Sequence, residues 1–145
     1  MTADDPILDY FNRSPYREHL DIEVTAAADG HAEGELSFAE KHSSSRNRDV
    51  GQGGVAFSLA DSVGGAAATS LVGVPTPTID FRIDYLAPAT TDLVATAAVV
   101  RDGRETAVVD VEVVDIDGTD VALGRGVYKT GDLPGDAPWD IDQGE

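Results

Sequence analysis

The sequence has no cysteine, which removes disulfides, thiolate nucleophiles and Cys-ligated zinc together. Positive charge is scarce: ten Lys and Arg stand against 27 Asp and Glu, a formal net charge of −17. Such a surface repels phosphate backbones and anionic headgroups, so nucleic-acid binding and membrane-surface roles are set aside. No unbroken apolar run approaches the roughly 18 to 20 residues of a membrane span. The acidic start MTADDPILDY lacks the basic and then apolar regions of a secretory signal. These absences predict a cytoplasmic protein.

Lys41 and Lys129 are the only lysines, and nineteen Asp outnumber eight Glu. This resembles the acidic, lysine-poor surfaces of proteins from salt-loving organisms. Self-repulsion at low ionic strength then predicts a thermal midpoint that rises between millimolar and molar salt. A midpoint that does not move counts against the idea.

At 145 residues and 41% apolar composition, the chain suits one domain with a real core. That domain is expected over residues 1–130. Residues 131–145, GDLPGDAPWDIDQGE, read as a loose acidic tail in which Trp139 is the residue to dock. No internal repeat is present.

Behind Pro6, Ile7, Leu8 and Phe11 fall at helical spacing and predict one short N-terminal helix. IEVTAAADGHAEGELSF reads as two strands joined at Asp29-Gly30, a pair that supplies the positive φ angles of a tight turn. KHSSSRNRDVGQGG is a polar loop. Val55 to Leu71 is apolar or small on nearly every face, which predicts a helix buried all round. Four strand-like segments follow, with turns at Asp102-Gly103 and Asp117-Gly118. Two strands, a long buried helix and four more strands make an α+β domain whose antiparallel sheet must wrap the helix to hide its circumference. That architecture is the hotdog fold.

Several chemistries are suggested by short stretches and fail on context. Gly51, Gly53 and Ala56 match a dinucleotide fingerprint, but the polar SSSRNRD precedes them where a buried parallel strand is required. Ser58 and Ser62 lack a G-x-S-x-G elbow. VDIDGTD lacks the register and distal Glu of a calcium loop. His19, His31 and His42 stand in polar surroundings at no metal-ligand spacing and read as solvated surface residues, so no metal is expected.

The remaining oddity is Asp61. Between Val50 and Ile79 it is the only ionisable side chain, placed about two turns into the apolar helix. A carboxylate there is disfavoured unless it lines a cavity or has partners, and perturbed carboxylates in clefts are enriched at active sites. The helix start adds Gly53 and Gly54, whose backbone N–H groups stand open at the positive end of the helix dipole and can stabilise a negative oxygen. An ordinary glycine-rich helix start remains the alternative there.

The run NRDVGQGGVAFSLADSVGGAAA resembles the signature of the phenylacetate-type (PaaI-like) hotdog thioesterases, and the similarity continues through TIDFRIDYLAPA and DVEVVDIDGTDVALGRGVY. In that family an Asn-containing loop leads to His-Gly-Gly and then to an Asp eight residues past the first glycine. The resemblance implies hydrolysis of an acyl-CoA thioester to a carboxylic acid and free CoA, without cofactor. It implies Asp61 as general base or nucleophile and the Gly53 N–H as the group polarising the carbonyl. It also implies Asn47 and Thr78 as groups placing water, carbonyl or carboxylate, with Gln52 and Gly54 beside the substrate. Gln52 stands where the family usually has His, and supports an alternative: a hotdog protein that binds acyl thioesters without turnover. For the CoA phosphates, Arg101, Arg104, Arg125 and Lys129 are the clustered candidates.

Gly53 and Asp61 are eight residues apart, about 12 Å along a helix, too far to serve one carbonyl. A two-fold homodimer that sets Asp61 of one chain against Gly53 of the other answers this. The resemblance implies such dimers, paired into tetramers.

Overall fold

The structure is a computed structural model that describes residues 5–133. The predicted tail with Trp139 lies outside the described residues. Within them, Pro6–Asn12 forms α1, whose start is capped by Asp5 Oδ1, accepting the N–H groups of Ile7 (2.9 Å) and Leu8 (3.2 Å). A second helix, α2, spans Pro15–Leu20, where the sequence predicted only one. Pro15 bars the helical conformation to Ser14, which sits at φ −69°, ψ 124° and caps the new helix through the Arg17 N–H.

Strands β1 (Ile22–Ala28) and β2 (His31–Leu36) turn at Asp29 and Gly30, with φ of 54° and 80°. The long helix α3 covers Gly53–Val72, and β3 (Thr78–Tyr85), β4 (Leu93–Asp102), β5 (Thr106–Asp115) and β6 (Asp120–Lys129) follow. The six strands form one antiparallel sheet in the order β1-β2-β4-β5-β6-β3. Helix α3 touches all six strands, which explains why it carries no polar face. By length and composition α3 is apolar enough to cross a membrane, which an unbroken-run criterion misses; here the sheet covers most of it. Leu59 and Val63 are wholly buried, each stabilising the fold by about 1.5–3 kcal/mol. The approach is close: a Cβ on Gly34 of β2 would lie 2.5 Å from Val63 Cγ2.

His42 corrects the surface reading of the histidines, whereas His19 and His31 are exposed. It is fully buried, with Nδ1 accepting the Ala39 N–H (2.8 Å) and Nε2 donating to the Leu20 carbonyl (2.7 Å). Since Ala39 N–H is a donor, the ring is neutral and carries its proton on Nε2. The His42 carbonyl accepts the Gln52 N–H at 2.9 Å, so this buried ring anchors the chain that leads into α3.

The two sheet edges differ. At β1 the Asn12 side chain occupies both backbone groups of Val24, donating to its carbonyl (2.9 Å) and accepting its N–H (2.8 Å). Among the described residues nothing pairs with the outer edge of β3, where Ile79 is 57% exposed.

Candidate active site

Asp61 lies in the first half of α3, partly buried, where α3 meets the start of β3 and the end of β6. Thr78, the first residue of β3, donates its hydroxyl to Asp61 Oδ1 at 2.9 Å. The Tyr128 hydroxyl, from β6, lies 3.0 Å from the same Oδ1 and 3.1 Å from the Asp61 carbonyl. Tyr128 is fully buried. Burial first, then the Asp61 charge and hydrogen bond, push its hydroxyl far above the usual tyrosine range, so it remains a donor. Among the described residues no donor reaches Oδ2, and the residue as a whole is only partly buried.

A cation stands close by. Arg17 of α2 packs its guanidinium 4.6 Å from the Phe11 ring centroid and donates Nε–H to Ser62 Oγ at 2.8 Å, one residue beyond Asp61. Burial lowers its pKa, while Tyr10, Asp61 and Tyr128 act in the opposite direction. Beside it the Tyr16 and Ser58 hydroxyls pair at 2.8 Å.

At the helix start, Gln52 is the N-cap, and its Oε1 accepts the Gly54 N–H at 2.6 Å. That N–H is therefore engaged within the chain. The Gly53 N–H has no acceptor among the described residues. Tyr85, the last residue of β3, lies against Gly53 and donates its hydroxyl to the Gly53 carbonyl at 2.6 Å. Partial burial raises the Tyr85 pKa, so this hydroxyl too stays protonated. Gly53, Ala56, Tyr85, Pro88 and Val121 help line an open cleft of about 400 Å³. An N-terminal N–H beside a cleft is suited to receive a carbonyl oxygen as it gains charge.

The fold thus brings Thr78 to Asp61, and Gln52 and Gly54 to Gly53, but keeps the two groups at separate points of one helix. Asn47 sits in the exposed loop before Gly51, with its backbone N–H on Ser45 Oγ at 3.2 Å and no side-chain bond to Asp61. Of the basic candidates, Arg125 is held by Asp110 through two bonds of 2.6 and 3.0 Å. That pairing depresses the Asp110 carboxyl. Lys129 lies 3.6 Å from Glu105. Arg101 and Arg104 are exposed around the β4–β5 turn.

Sequence reasoning missed Tyr128, Arg17 and Tyr85. For Tyr128 a signal existed: Ala122, Gly124, Gly126 and Tyr128 alternate along β6, three small residues and then one large one on the face towards a helix that carries Gly64-Gly65.

A profile of the thioesterase superfamily matches residues 52–122. A Halobacterium salinarum protein, provisionally designated an esterase, is 36% identical over 124 residues, covering 76% of this chain and 80% of its own length. The Escherichia coli PaaI protein, from the phenylacetic acid degradation operon, superposes with a TM-score of 0.77 at 27% identity, over 84% of this chain and 88% of that one. A variant of PaaI from Thermus thermophilus gives a TM-score of 0.72 at 30% identity, over 80% and 98%.

Proposed function

The chain belongs to the thioesterase superfamily as a PaaI-like hotdog thioesterase, and from that premise we propose that it hydrolyses acyl-CoA, with Asp61 and Gly53 supplied to each site by different chains. One observation carries this reading: a partly buried carboxylate with one oxygen held by two hydroxyls and the other without a donor among the described residues, in a family of thioester hydrolases.

In the reaction, the thioester carbonyl oxygen rests on the Gly53 N–H, which stabilises the oxyanion as it forms. Asp61 takes a proton from water while the water oxygen bonds to the carbonyl carbon; the tetrahedral species collapses, the C–S bond breaks, and Asp61 returns the proton to the leaving sulfur. The products are the carboxylic acid and CoA. If Asp61 is instead the nucleophile, its oxygen bonds to the carbonyl carbon as the C–S bond breaks and CoA thiolate leaves; water then splits the mixed anhydride into the carboxylic acid and the Asp61 carboxyl, whose proton passes to the CoA sulfur. Asn47, in the loop before Gly53, belongs to the half-site that holds the carbonyl, and Thr78 to the half-site of Asp61. Gln52 and Gly54 flank the carbonyl, and Arg101 and Arg104 are the basic residues left to meet CoA phosphates.

The edge strand supports a dimer. Thr78, beside Asp61, starts β3, and Tyr85, beside Gly53, ends it. Antiparallel pairing of β3 with its two-fold copy sets the Asp61 end of one chain beside the Gly53 end of the other. It also satisfies the open edge and covers Ile79. Pairing of such dimers gives the tetramer we assign to the chain, in a cytoplasm whose salt screens the −17 charge.

The test is a panel of aryl and medium-chain acyl-CoAs with a thiol reagent. Because the chain has no cysteine, the reagent reports only released CoA. Turnover of at least one thioester is expected. Tight binding of the panel with no thiol released would instead establish the non-catalytic alternative to which Gln52 points.

A further inference from the structure

We infer that Tyr128 is a positioning residue that locks the Asp61 carboxylate so that Oδ2 alone faces the reacting carbonyl or water. This rests on the reading of Asp61 as the reacting carboxylate. The Tyr128 hydroxyl sits between two acceptors of the same residue, 3.1 Å from the Asp61 carbonyl and 3.0 Å from Oδ1. One group that touches both the backbone and the side-chain end of Asp61 restrains the torsions between them. Thr78 adds a second hydroxyl at Oδ1. Thr78 donates to Oδ1 and the single Tyr128 proton is shared between Oδ1 and the Asp61 carbonyl, so the less engaged, basic or nucleophilic oxygen is Oδ2.

The fold makes room for this ring at specific glycines. A Cβ on Gly64 of α3 would lie 2.5 Å from Tyr128 Oη, and one on Gly126 of β6 would lie 2.6 Å from Cε1. A Cβ on Gly65 would lie 3.5 Å from Cε2, in ordinary contact with the ring. A ring held on both faces cannot swing its hydroxyl away, which distinguishes it from the half-exposed Tyr85. Burial also keeps the hydroxyl protonated and so permanently a donor.

Tyr128→Phe keeps the ring in its slot and removes only the hydroxyl. With the acyl-CoA that turns over fastest, kcat is expected to fall about 10- to 100-fold with KM little changed, the scale of a small misplacement of a reacting group. Combined with Thr78→Val, the losses should be non-additive, since both hydroxyls hold one oxygen. Val24→Ala, a buried β1 residue with no hydrogen bond to Asp61, Thr78 or Tyr128, serves as the stability control and should lower Tm without this kcat effect. If Tyr128→Phe fails to fold, Gly64→Ala, which displaces the hydroxyl, should show the same loss confined to kcat. Unchanged kcat, or a loss shared between kcat and KM that tracks Tm as in Val24→Ala, overturns the positioning role. Asp61→Asn separates the two ideas: if it is inactive while Tyr128→Phe is fully active, only the Tyr128 assignment fails. Activity retained in Asp61→Asn removes both.

Discussion

Asp61→Asn is expected to lower kcat/KM by about 10³-fold while leaving the fold intact, the scale of losing a positioned base or nucleophile. Asn has the same shape, and its carbonyl oxygen still accepts from Thr78 and Tyr128, so the hydrogen bonds now at 2.9 and 3.0 Å survive. What is lost is basicity at the second oxygen. Because a partly buried charge is also removed from an apolar helix, Tm should hold steady or rise slightly. Steady-state kinetics on the preferred acyl-CoA, with thermal melts of both proteins, provide the check. Activity within a few-fold of the parent would mean that Asp61 is only a tolerated polar residue at a gap in the sheet.

A mixed dimer should recover activity from two inactive parents. Gly53→Pro removes the N–H at the start of α3 that has no acceptor among the described residues, at a position where proline suits the backbone. Gly53 is the first residue of α3 and does not have a positive φ, and Gln52 before it is extended at φ −66°, ψ 140°. Loss of this oxyanion donor should cost about 10²- to 10³-fold in kcat. Hybrids of Gly53→Pro with Asp61→Asn, co-expressed with two affinity tags and isolated, contain one site with both defects and one with neither. They should therefore show about half of the parent activity. If each chain instead held a whole site, every site in the hybrid would carry one defect and activity would stay at the level of the inactive parents. No restoration in a verified hybrid would end the shared-site proposal.

Much of the architecture was legible because local physics and tertiary packing agree. Asp29-Gly30 is in positive φ because a two-residue turn requires it, and the residue types that tolerate it are visible in the sequence. Helix α3 was legible because it has no polar stripe: a helix without one has to be surrounded, and six strands surround it. The break between α1 and α2 is equally local, in Ser14-Pro15, although the apolar spacing of Ile7, Leu8 and Phe11 marks only the first helix. His42 was of another kind. Its neighbours along the chain are polar, and only the return of Leu20, 22 residues earlier, gives its Nε2 a buried acceptor.

By itself, then, the sequence determined the class of fold, the placement of one long helix in a sheet, and the presence of a single carboxylate in an apolar stretch. These follow from periodicity, turn chemistry and the energetic penalty of burying charge, which act over a few residues. The tertiary structure decided how that carboxylate is held: Thr78, to which the family resemblance already pointed, is 17 residues away in the chain, Tyr128 is 67, and both converge on Oδ1. It also decided that Gln52 occupies the Gly54 N–H and leaves that of Gly53 without an acceptor among the described residues. Hydrogen-bond geometry between distant segments depends on which strands become neighbours: the small residues of β6 mark room for the Tyr128 ring, but only the folded sheet brings its hydroxyl to Asp61.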